Sequence, residues 1–297
     1  MKPASFEYHA PTTVGEVVSL LSSLGEDAKV LAGGQSLVPM LNMRLARFDH
    51  LVDIGRIDTL REVAITGDSV TLGATVRQCD VEERRDVATA APLLGLATPL
   101  IGHFQIRSRG TVGGSIAHAD PAAEYPAVAL ALDADLVVAG ARGERAVGAA
   151  EFFTGMWSTV LAPDELLTTV RIPRWGPGSG FAVEEVARRH GDFAIAGAVV
   201  AVQIVDGSAQ RASIAMFGVG STPMRADAAE AALRNAGAGA GGREADEIGA
   251  LAAAGLDPPA DVHASSAARR RIAAAVVSRA VLRAVEMAHG TGEADRG

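Results

Sequence analysis

The chain has 297 residues, 48% of them hydrophobic, so it is long enough for two domains and too apolar to be disordered. Its formal net charge of −8 and its aromatic content of 4% exclude a basic, base-stacking surface for nucleic acid. Cys79 is the only cysteine, which excludes a disulfide framework and a cysteine-ligated iron–sulfur cluster within this chain, and which fits a reducing cytoplasm.

No segment has the pattern of a targeting or membrane-spanning sequence. The first residues lack the apolar core of a signal peptide. The most apolar stretch, residues 194–205, includes Gly197 and Gln203 and is shorter than the roughly 20 residues of a membrane span. The sequence therefore predicts a cytoplasmic protein with no membrane span.

The first elements predict a helix, a strand and a glycine-rich turn in that order. Thr13 and Glu16 form a capping-box pattern before an apolar helical repeat that Gly25 ends. A short strand at residues 29–31 then leads into Ala32-Gly33-Gly34-Gln35-Ser36, here called the first glycine segment, and residues 37–45 have a helical pattern. This order predicts a strand–turn–helix element, in which the backbone N–H groups at the start of the helix can face an anion.

The next part of the chain combines short strands and helices. The patterns predict a buried strand at 51–54, a hairpin at 63–72, a polar helix at 76–85, an apolar helical segment at 92–101, a helix at 126–132, paired strands at 135–139 and 145–147, and a strand at 165–172. Between these lies Thr111-Val112-Gly113-Gly114-Ser115, here called the second glycine segment. It repeats the pattern of a Gly-Gly pair followed by a hydroxyl residue.

Residues 173–180 contain the densest cluster of proline and glycine and mark the predicted domain boundary. The expected domains are 1–175, divided into subdomains of about 1–55 and 56–175, and 176–297. Within the second domain, strands at 181–186, 194–205 and 212–218 precede helices at 226–236, 244–254 and 264–289. This order predicts an α+β domain with a three-stranded antiparallel sheet.

Two glycine segments favour a ligand with two phosphates, for which a dinucleotide is the natural candidate. Neither segment is a Walker loop, because no lysine follows the glycines. A formal G-x-G-x-x-G at Gly237, Gly239 and Gly242 follows a predicted helix where the dinucleotide fingerprint needs a strand, so it is interpreted as a flexible linker.

Other reactive side chains give weaker indications of a functional site. The seven histidines show no metal-ligand spacing, so no metal site is predicted, and no serine-nucleophile motif occurs. His118, Asp120 and Glu124 are compatible with a surface cluster or with side chains facing a ligand ribose. The segment 188–193, which precedes a buried strand, is compatible with a solvated loop or with a ring edge against a planar cofactor.

Taken together, these residues resemble the FAD-binding medium subunit of the molybdenum hydroxylases, the xanthine dehydrogenase and carbon monoxide dehydrogenase family. The resemblance spans roughly residues 4–290. It is carried by the stretches 32–37, 101–107, 110–124, 152–155 and 189–196. It implies an α+β fold, with a two-subdomain FAD-binding domain of the vanillyl-alcohol-oxidase (PCMH-like) type followed by the smaller α+β domain.

The resemblance also implies the cofactor contacts. The first glycine segment would wrap the FAD pyrophosphate, and the second would approach it from the other subdomain. Glu124 would hydrogen-bond the cofactor, Ile101 would lie against the isoalloxazine ring, and Asp192 and Phe193 would form the loop beside it. The implied cofactor-binding set is Ala32, Gly33, Gly34, Gln35, Ser36, Leu37, Ile101, Thr111, Gly113, Gly114, Ser115, His118, Asp120, Glu124, Leu167, Asp192 and Phe193.

The implied function is electron transfer within an oxidoreductase of several subunits. A large partner would carry the molybdenum cofactor, and a small partner would carry two [2Fe–2S] clusters, in a dimer of heterotrimers. Electrons would reach FAD in this chain and leave to NAD⁺, oxygen or a quinone-type acceptor, with no side chain acting as a catalytic acid or base.

Two other functions stay open at this point, namely a stand-alone flavin oxidoreductase of the same fold and an assembly subunit that has lost FAD. The sequence also departs from some relatives, which carry a lysine that contacts the cofactor near the positions of Glu184 and Glu185. Acidic residues here would disfavour an anionic reduced flavin.

Overall fold

A computed structural model describes residues 2–294, so that the outermost positions of the two predicted domains, 1 and 295–297, lie outside the described residues. The N-terminal subdomain contains a three-stranded sheet of order β1-β3-β2 in which both strand pairs are parallel. Its elements are β1 (Glu7–His9), α1 (Val14–Leu24), β2 (Ala28–Leu31), α2 (Leu37–Asn42) and β3 (His50–Asp53).

Helix α1 begins and ends where the sequence predicts. The Thr13 hydroxyl accepts a hydrogen bond from the backbone N–H of Glu16 at 3.2 Å, and the Glu16 carboxylate accepts one from the backbone N–H of Thr13 at 3.3 Å. Both partners of the capping box are thus present. Gly25 follows the helix with a φ of 60°, a conformation that glycine adopts without a steric cost.

The second subdomain is built on a five-stranded antiparallel sheet of order β4-β5-β10-β6-β7. The predicted hairpins at 63–72 and 135–147 are both part of it. The elements are β4 (Val63–Ile65), β5 (Ser69–Gly73), α3 (Gln78–Glu83), α4 (Arg85–Ala90), α5 (Pro92–Ala97), α6 (Phe104–Arg107), α7 (Val112–His118), α8 (Glu124–Ala131), β6 (Asp135–Gly140), β7 (Gly143–Gly148), α9 (Ala149–Phe152), β8 (Phe153–Gly155), β9 (Ser158–Thr159) and β10 (Leu166–Pro173).

Three elements of this subdomain differ from the sequence-based expectation. The polar helix expected at 76–85 is divided into α3 and α4 at Arg84, whose ψ of 100° is extended. The apolar segment at 92–101 consists of α5 and a 3₁₀ turn, Thr98–Leu100. The second glycine segment is not a free turn, because Thr111 caps α7 and both glycines lie in its first turn.

The C-terminal part contains an antiparallel sheet of order β11-β12-β13-β14. Its elements are β11 (Ser179–Val186), β12 (Ala196–Val205), β13 (Ser208–Phe217), β14 (Met224–Arg225), α10 (Asp227–Ala236), α11 (Gly242–Ala254) and α12 (Ser266–Ala294). The three predicted strands and three predicted helices are therefore present, and the two-residue β14 adds a short edge strand.

Both faces of this C-terminal sheet are buried, which explains the continuous apolar pattern of β12. Val199 and Ala201 belong to the core of the second subdomain, whereas Val200 and Val202 pack with the C-terminal helices in a separate core. Alternate residues of a strand point to opposite faces, so a strand covered on both sides reads as an unbroken apolar run. The sheet thereby fixes the C-terminal domain against the second subdomain.

The glycine-rich stretch after α10 is more ordered than the predicted flexible linker. Residues Gly237–Gly239 form a 3₁₀ turn, and Gly237 is buried with a φ of 53°. A Cβ at Gly237 would lie 2.7 Å from the carbonyl oxygen of Gly207, so glycine is needed for this close approach. Among residues 2–294, no helix has the length and hydropathy required to cross a membrane.

Candidate functional site

One cleft of about 650 Å³ lies where the two N-terminal subdomains meet, and a loop of the C-terminal domain reaches its edge. The structure brings every predicted cofactor-binding residue into the lining of this cleft. These residues are Ala32, Gly33, Gly34, Gln35, Ser36, Leu37, Ile101, Thr111, Gly113, Gly114, Ser115, His118, Asp120, Glu124, Leu167, Asp192 and Phe193.

The first glycine segment connects β2 to α2 and offers backbone donors to the cleft. Gly34 has a φ of 72°, the left-handed region that favours glycine. A Cβ at Gly33 would overlap the carbonyl oxygen of Arg109 and lie 2.8 Å from the Cα of Gly110, so this segment touches the second subdomain directly. Within the described chain, the backbone N–H groups of residues 33–36 donate no hydrogen bond. They remain available for an anionic group.

The second glycine segment has a different role from the first, because its glycine N–H groups have hydrogen-bond partners within the chain, whereas a segment that binds phosphate would leave them free. The N–H of Gly113 donates to the carbonyl oxygen of Ala74 at 3.0 Å, and the N–H of Gly114 donates to the Thr111 hydroxyl at 3.0 Å. A Cβ at Gly113 would lie 2.5 Å from the Cβ of Ala74, and one at Gly114 would lie 3.3 Å from the Cβ of Ala32. These glycines therefore permit close packing of α7 against both subdomains.

Glu124 is the most perturbed carboxyl group of the cleft. It is the first residue of α8 and is only 7% exposed. Burial raises its pKa to about 8, with smaller contributions in the same direction from the charges of Glu185 and Asp120. Glu124 is therefore mostly protonated at pH 7 and can donate a hydrogen bond into the cleft.

A pair of stacked rings lines another side of the cleft. The rings of His118 and Trp157 are 6.4 Å apart between centroids, with 19° between their planes. The Trp157 indole N–H donates to the Asp120 carboxylate at 3.2 Å, and the backbone N–H of Ala122 donates to the same carboxylate at 2.9 Å. Burial lowers the pKa of His118. The three side chains form a connected wall of the cleft.

Several lining residues were missed by sequence reasoning. They include Lys29 on β2, Gln78 at the start of α3, and Trp157 between β8 and β9. Trp157 has a φ of 54°, a left-handed backbone conformation that no local sequence pattern predicts. Only its position, two residues after Gly155 in one of the stretches that carry the family resemblance, could have singled it out.

The C-terminal domain reaches the cleft through the loop before β12. A Cβ at Gly191, whose φ is 84°, would lie 2.9 Å from the carbonyl oxygen of Gly102. This close approach brings Asp192 and Phe193 to the same lining as Ile101. The Phe193 side chain is 68% exposed, so it stands at the mouth of the cleft and is not part of a core.

The two acidic residues of β11 point to opposite sides of the sheet. Glu184 forms ion pairs with Arg279, at 3.6 Å, and with Arg283, both on α12. Glu185 lies on the other face, and burial raises its pKa to about 7. The ion pairs thus offset the charge of Glu184 within the C-terminal domain, whereas Glu185, together with Asp120, raises the pKa of Glu124.

The residues fit a dinucleotide cofactor by their chemistry. The backbone N–H groups of residues 33–36, which donate no hydrogen bond within the described chain, suit phosphate oxygens. The small residues of the two glycine segments let a ligand approach this backbone closely. Glu124 adds a protonated carboxyl donor, and Phe193 and Ile101 add apolar surface at the mouth.

Comparisons with known proteins agree with this geometry. The family described as "FAD binding domain in molybdopterin dehydrogenase" matches residues 4–175, and "CO dehydrogenase flavoprotein C-terminal domain" matches residues 181–284. The chain is 39% identical to the 6-hydroxypseudooxynicotine dehydrogenase complex subunit alpha of Paenarthrobacter nicotinovorans, over 99% of both chains. It is 38% identical to the carbon monoxide dehydrogenase medium chain of Hydrogenophaga pseudoflava, over 95% of this chain and 97% of that one.

Solved structures give the same result. A chain of the carbon monoxide dehydrogenase from Hydrogenophaga pseudoflava superposes with a TM-score of 0.93 at 39% identity, covering 97% of this chain and 99% of that one. A chain of quinoline 2-oxidoreductase from Pseudomonas putida 86 superposes with a TM-score of 0.91 at 34% identity, covering 98% and 100%. The chain therefore belongs to the FAD-binding medium subunits of the molybdenum hydroxylase family.

Proposed function

We propose that this chain is the electron-transferring FAD subunit of a cytoplasmic molybdenum-containing hydroxylase. It would receive electrons from [2Fe–2S] clusters of a small partner subunit, and a large partner would hold the molybdenum cofactor at which substrate is oxidised. Electrons would leave to NAD⁺, oxygen or a quinone-type acceptor. A dimer of heterotrimers is the proposed assembly.

The observation that carries this proposal is the convergence of both glycine segments and Glu124 on one cleft. We assign the pyrophosphate of FAD to the free amides of residues 33–36. The second glycine segment would support this site by holding α7 close to Ala32. Bound FAD supplies the redox chemistry, and the chain supplies binding, orientation and electrostatics.

The residues around the isoalloxazine ring have proposed positioning roles. Ile101 would lie against the ring, and Asp192 and Phe193 would limit access to it from the C-terminal domain. The protonated Glu124 would donate a hydrogen bond to an acceptor atom of the cofactor. Because Cys79 is the only cysteine, the clusters would have to belong to another chain.

We further propose that residues 1–175 form the FAD domain, with subdomains of about 1–55 and 56–175, and that 176–297 form the C-terminal domain. The segment between β10 and β11, which contains Gly176 and Gly178, would be the boundary. The relatives named above as a subunit or medium chain support a role within a larger assembly.

The experiment compares the purified chain alone with the chain co-expressed with its neighbouring genes. The chain alone is expected to show flavin absorbance bands and no turnover of small substrates. The co-purified complex is expected to reduce the flavin when substrate is added. Turnover by the isolated chain would instead indicate a stand-alone oxidoreductase, and a colourless chain that refuses added FAD would indicate an assembly subunit.

A further inference from the structure

A group of potential metal ligands lies on the edge of the N-terminal sheet, outside the FAD cleft. Strand β1 lies at the edge of its sheet, where within residues 2–294 its one partner is β3, and Glu7 is in register with His50. Glu7 and His9 share one face of β1 because alternate residues of a strand point the same way. Tyr8 points to the other face, where its hydroxyl donates to the Asp53 carboxylate at 2.6 Å.

The potential ligand atoms of these three residues converge. His9 Nε2 and His50 Nδ1 are 3.1 Å apart, Glu7 Oε2 is 3.6 Å from His50 Nδ1, and Glu7 Oε1 is 4.0 Å from His9 Nε2. A tetrahedral zinc ion with bonds of about 2.0–2.1 Å needs ligand atoms about 3.3 Å apart. The histidine pair already has nearly this separation, and the ligand atoms of all three residues lie within 4.8 Å of one another, so a rotation of the exposed Glu7 side chain brings one carboxylate oxygen into range.

The burial of the three side chains also suits a metal site. The imidazoles of His9 and His50 are 18% and 22% exposed, so the strands largely fix their positions, whereas Glu7 is 67% exposed and free to adjust. The pattern of two fixed imidazoles and one carboxylate, with solvent on the open side, is a known ligand set of Zn²⁺ with a water in the fourth position.

We propose that Glu7, His9 and His50 bind one Zn²⁺ ion. His9 would ligate through Nε2 and keep its proton on Nδ1, and His50 would ligate through Nδ1 and keep its proton on Nε2. Without metal, the same two nitrogens share a single proton in an N–H···N hydrogen bond. Zinc therefore replaces that hydrogen bond and links β1 to β3 by coordinate bonds.

The site was not predictable from residue spacing. His9 and His50 are separated by 41 positions, and only the parallel pairing of β1 with β3 brings them together. The expectation that the histidines form no metal site considered separations along the chain only. None of the three residues lines the FAD cleft, so metal binding and flavin binding can be measured independently.

The test uses the full chain without an affinity tag, stripped with a chelator and titrated with Zn²⁺ in competition with a chromogenic chelator. His9→Ala and His50→Ala remove one ligand each. His289→Ala is the matched control, because His289 is an exposed histidine on α12. Flavin content and far-ultraviolet circular dichroism verify that each variant is folded.

We expect one Zn²⁺ per chain in the wild type and in His289→Ala, and at least tenfold weaker binding in His9→Ala and His50→Ala. Co²⁺ in place of Zn²⁺ should give visible d–d bands in the wild type that both variants lose. Equal Zn²⁺ affinity in wild type and both variants would overturn the proposal, because the metal would then bind elsewhere. A wild-type chain that binds no Zn²⁺ would show that the pair is only a hydrogen bond.

Discussion

Replacement of Glu124 by glutamine tests whether burial holds this carboxyl group in its neutral form. Glutamine has nearly the same shape and cannot ionise. Burial raises the pKa of Glu124 from its ordinary 4.5 to about 8. One pKa unit corresponds to about 1.4 kcal/mol, so ionisation of Glu124 costs the folded chain about 5 kcal/mol relative to the unfolded chain.

The sign of the pH dependence follows from the raised pKa. The folded state holds the proton more tightly than the unfolded state, so the contribution of Glu124 to stability is complete below pH 4.5 and is lost as the pH rises to about 8. The free energy of unfolding of wild type minus that of Glu124→Gln should therefore fall by about 4 kcal/mol between pH 4.5 and 8, out of about 5 kcal/mol in total.

The assay is urea unfolding of the FAD-free proteins, followed by tryptophan fluorescence between pH 4.5 and 9. Glu83→Gln is the control, because Glu83 is an exposed residue of α3. Its unfolding free energy should stay parallel to that of the wild type at every pH. A Glu124→Gln profile that is also parallel to the wild type would refute the reasoning, because it would mean that Glu124 ionises freely in the folded protein.

Three further predictions concern packing and charge. A Cβ at Gly180 would overlap the carbonyl oxygen of Ala284 on α12, so Gly180→Ala should lower the free energy of unfolding by about 3 kcal/mol in chemical denaturation. The control is Gly67→Ala, which should change the free energy of unfolding little because a Cβ at Gly67 meets nothing within 4 Å. The hydroxyls of Thr98 and buried Tyr125 are hydrogen-bonded at 2.7 Å, so Thr98→Val should lower the free energy of unfolding by about 2 kcal/mol in the same assay. An unchanged free energy of unfolding would show that Tyr125 finds another partner. Burial raises the pKa of Glu185 to about 7, so its side chain is mostly ionised at pH 8 and mostly neutral at pH 6. Glu185→Gln, which removes that negative charge, should therefore raise the reduction potential of bound FAD at pH 8 and change it little at pH 6. Equal changes in the potential at both pH values would contradict this assignment.

Much of the fold follows from local signals that the structure satisfies. The capping box at Thr13 and Glu16 starts α1, and the apolar run of β12 belongs to a strand covered on both faces. The two glycine segments were predicted to approach one ligand from two subdomains, and both line the same cleft. The capping box and the glycine turns each depend on residues close together in the sequence, where side-chain type alone restricts the backbone.

Features that depend on contacts between distant residues were not predictable. The second glycine segment has the pattern of a phosphate-binding turn, yet the N–H of Gly113 donates to the carbonyl oxygen of Ala74, 39 residues earlier in the sequence. Glu184 and Glu185 look equivalent in the sequence, but strand pleating directs one to α12 and the other toward Glu124. Such roles depend on tertiary neighbours, which neither periodicity nor composition identifies.

The most direct test of the central claim is FAD binding by wild type, Gly114→Val and Gly67→Val. A Cβ at Gly114 would lie 2.6 Å from the Thr111 hydroxyl oxygen and 3.3 Å from the Cβ of Ala32, whereas one at Gly67 meets nothing within 4 Å. Titration with FAD should give stoichiometric binding by wild type and Gly67→Val. Gly114→Val should bind no FAD while its C-terminal domain stays folded. Stoichiometric FAD in Gly114→Val would contradict a cofactor site between the two glycine segments.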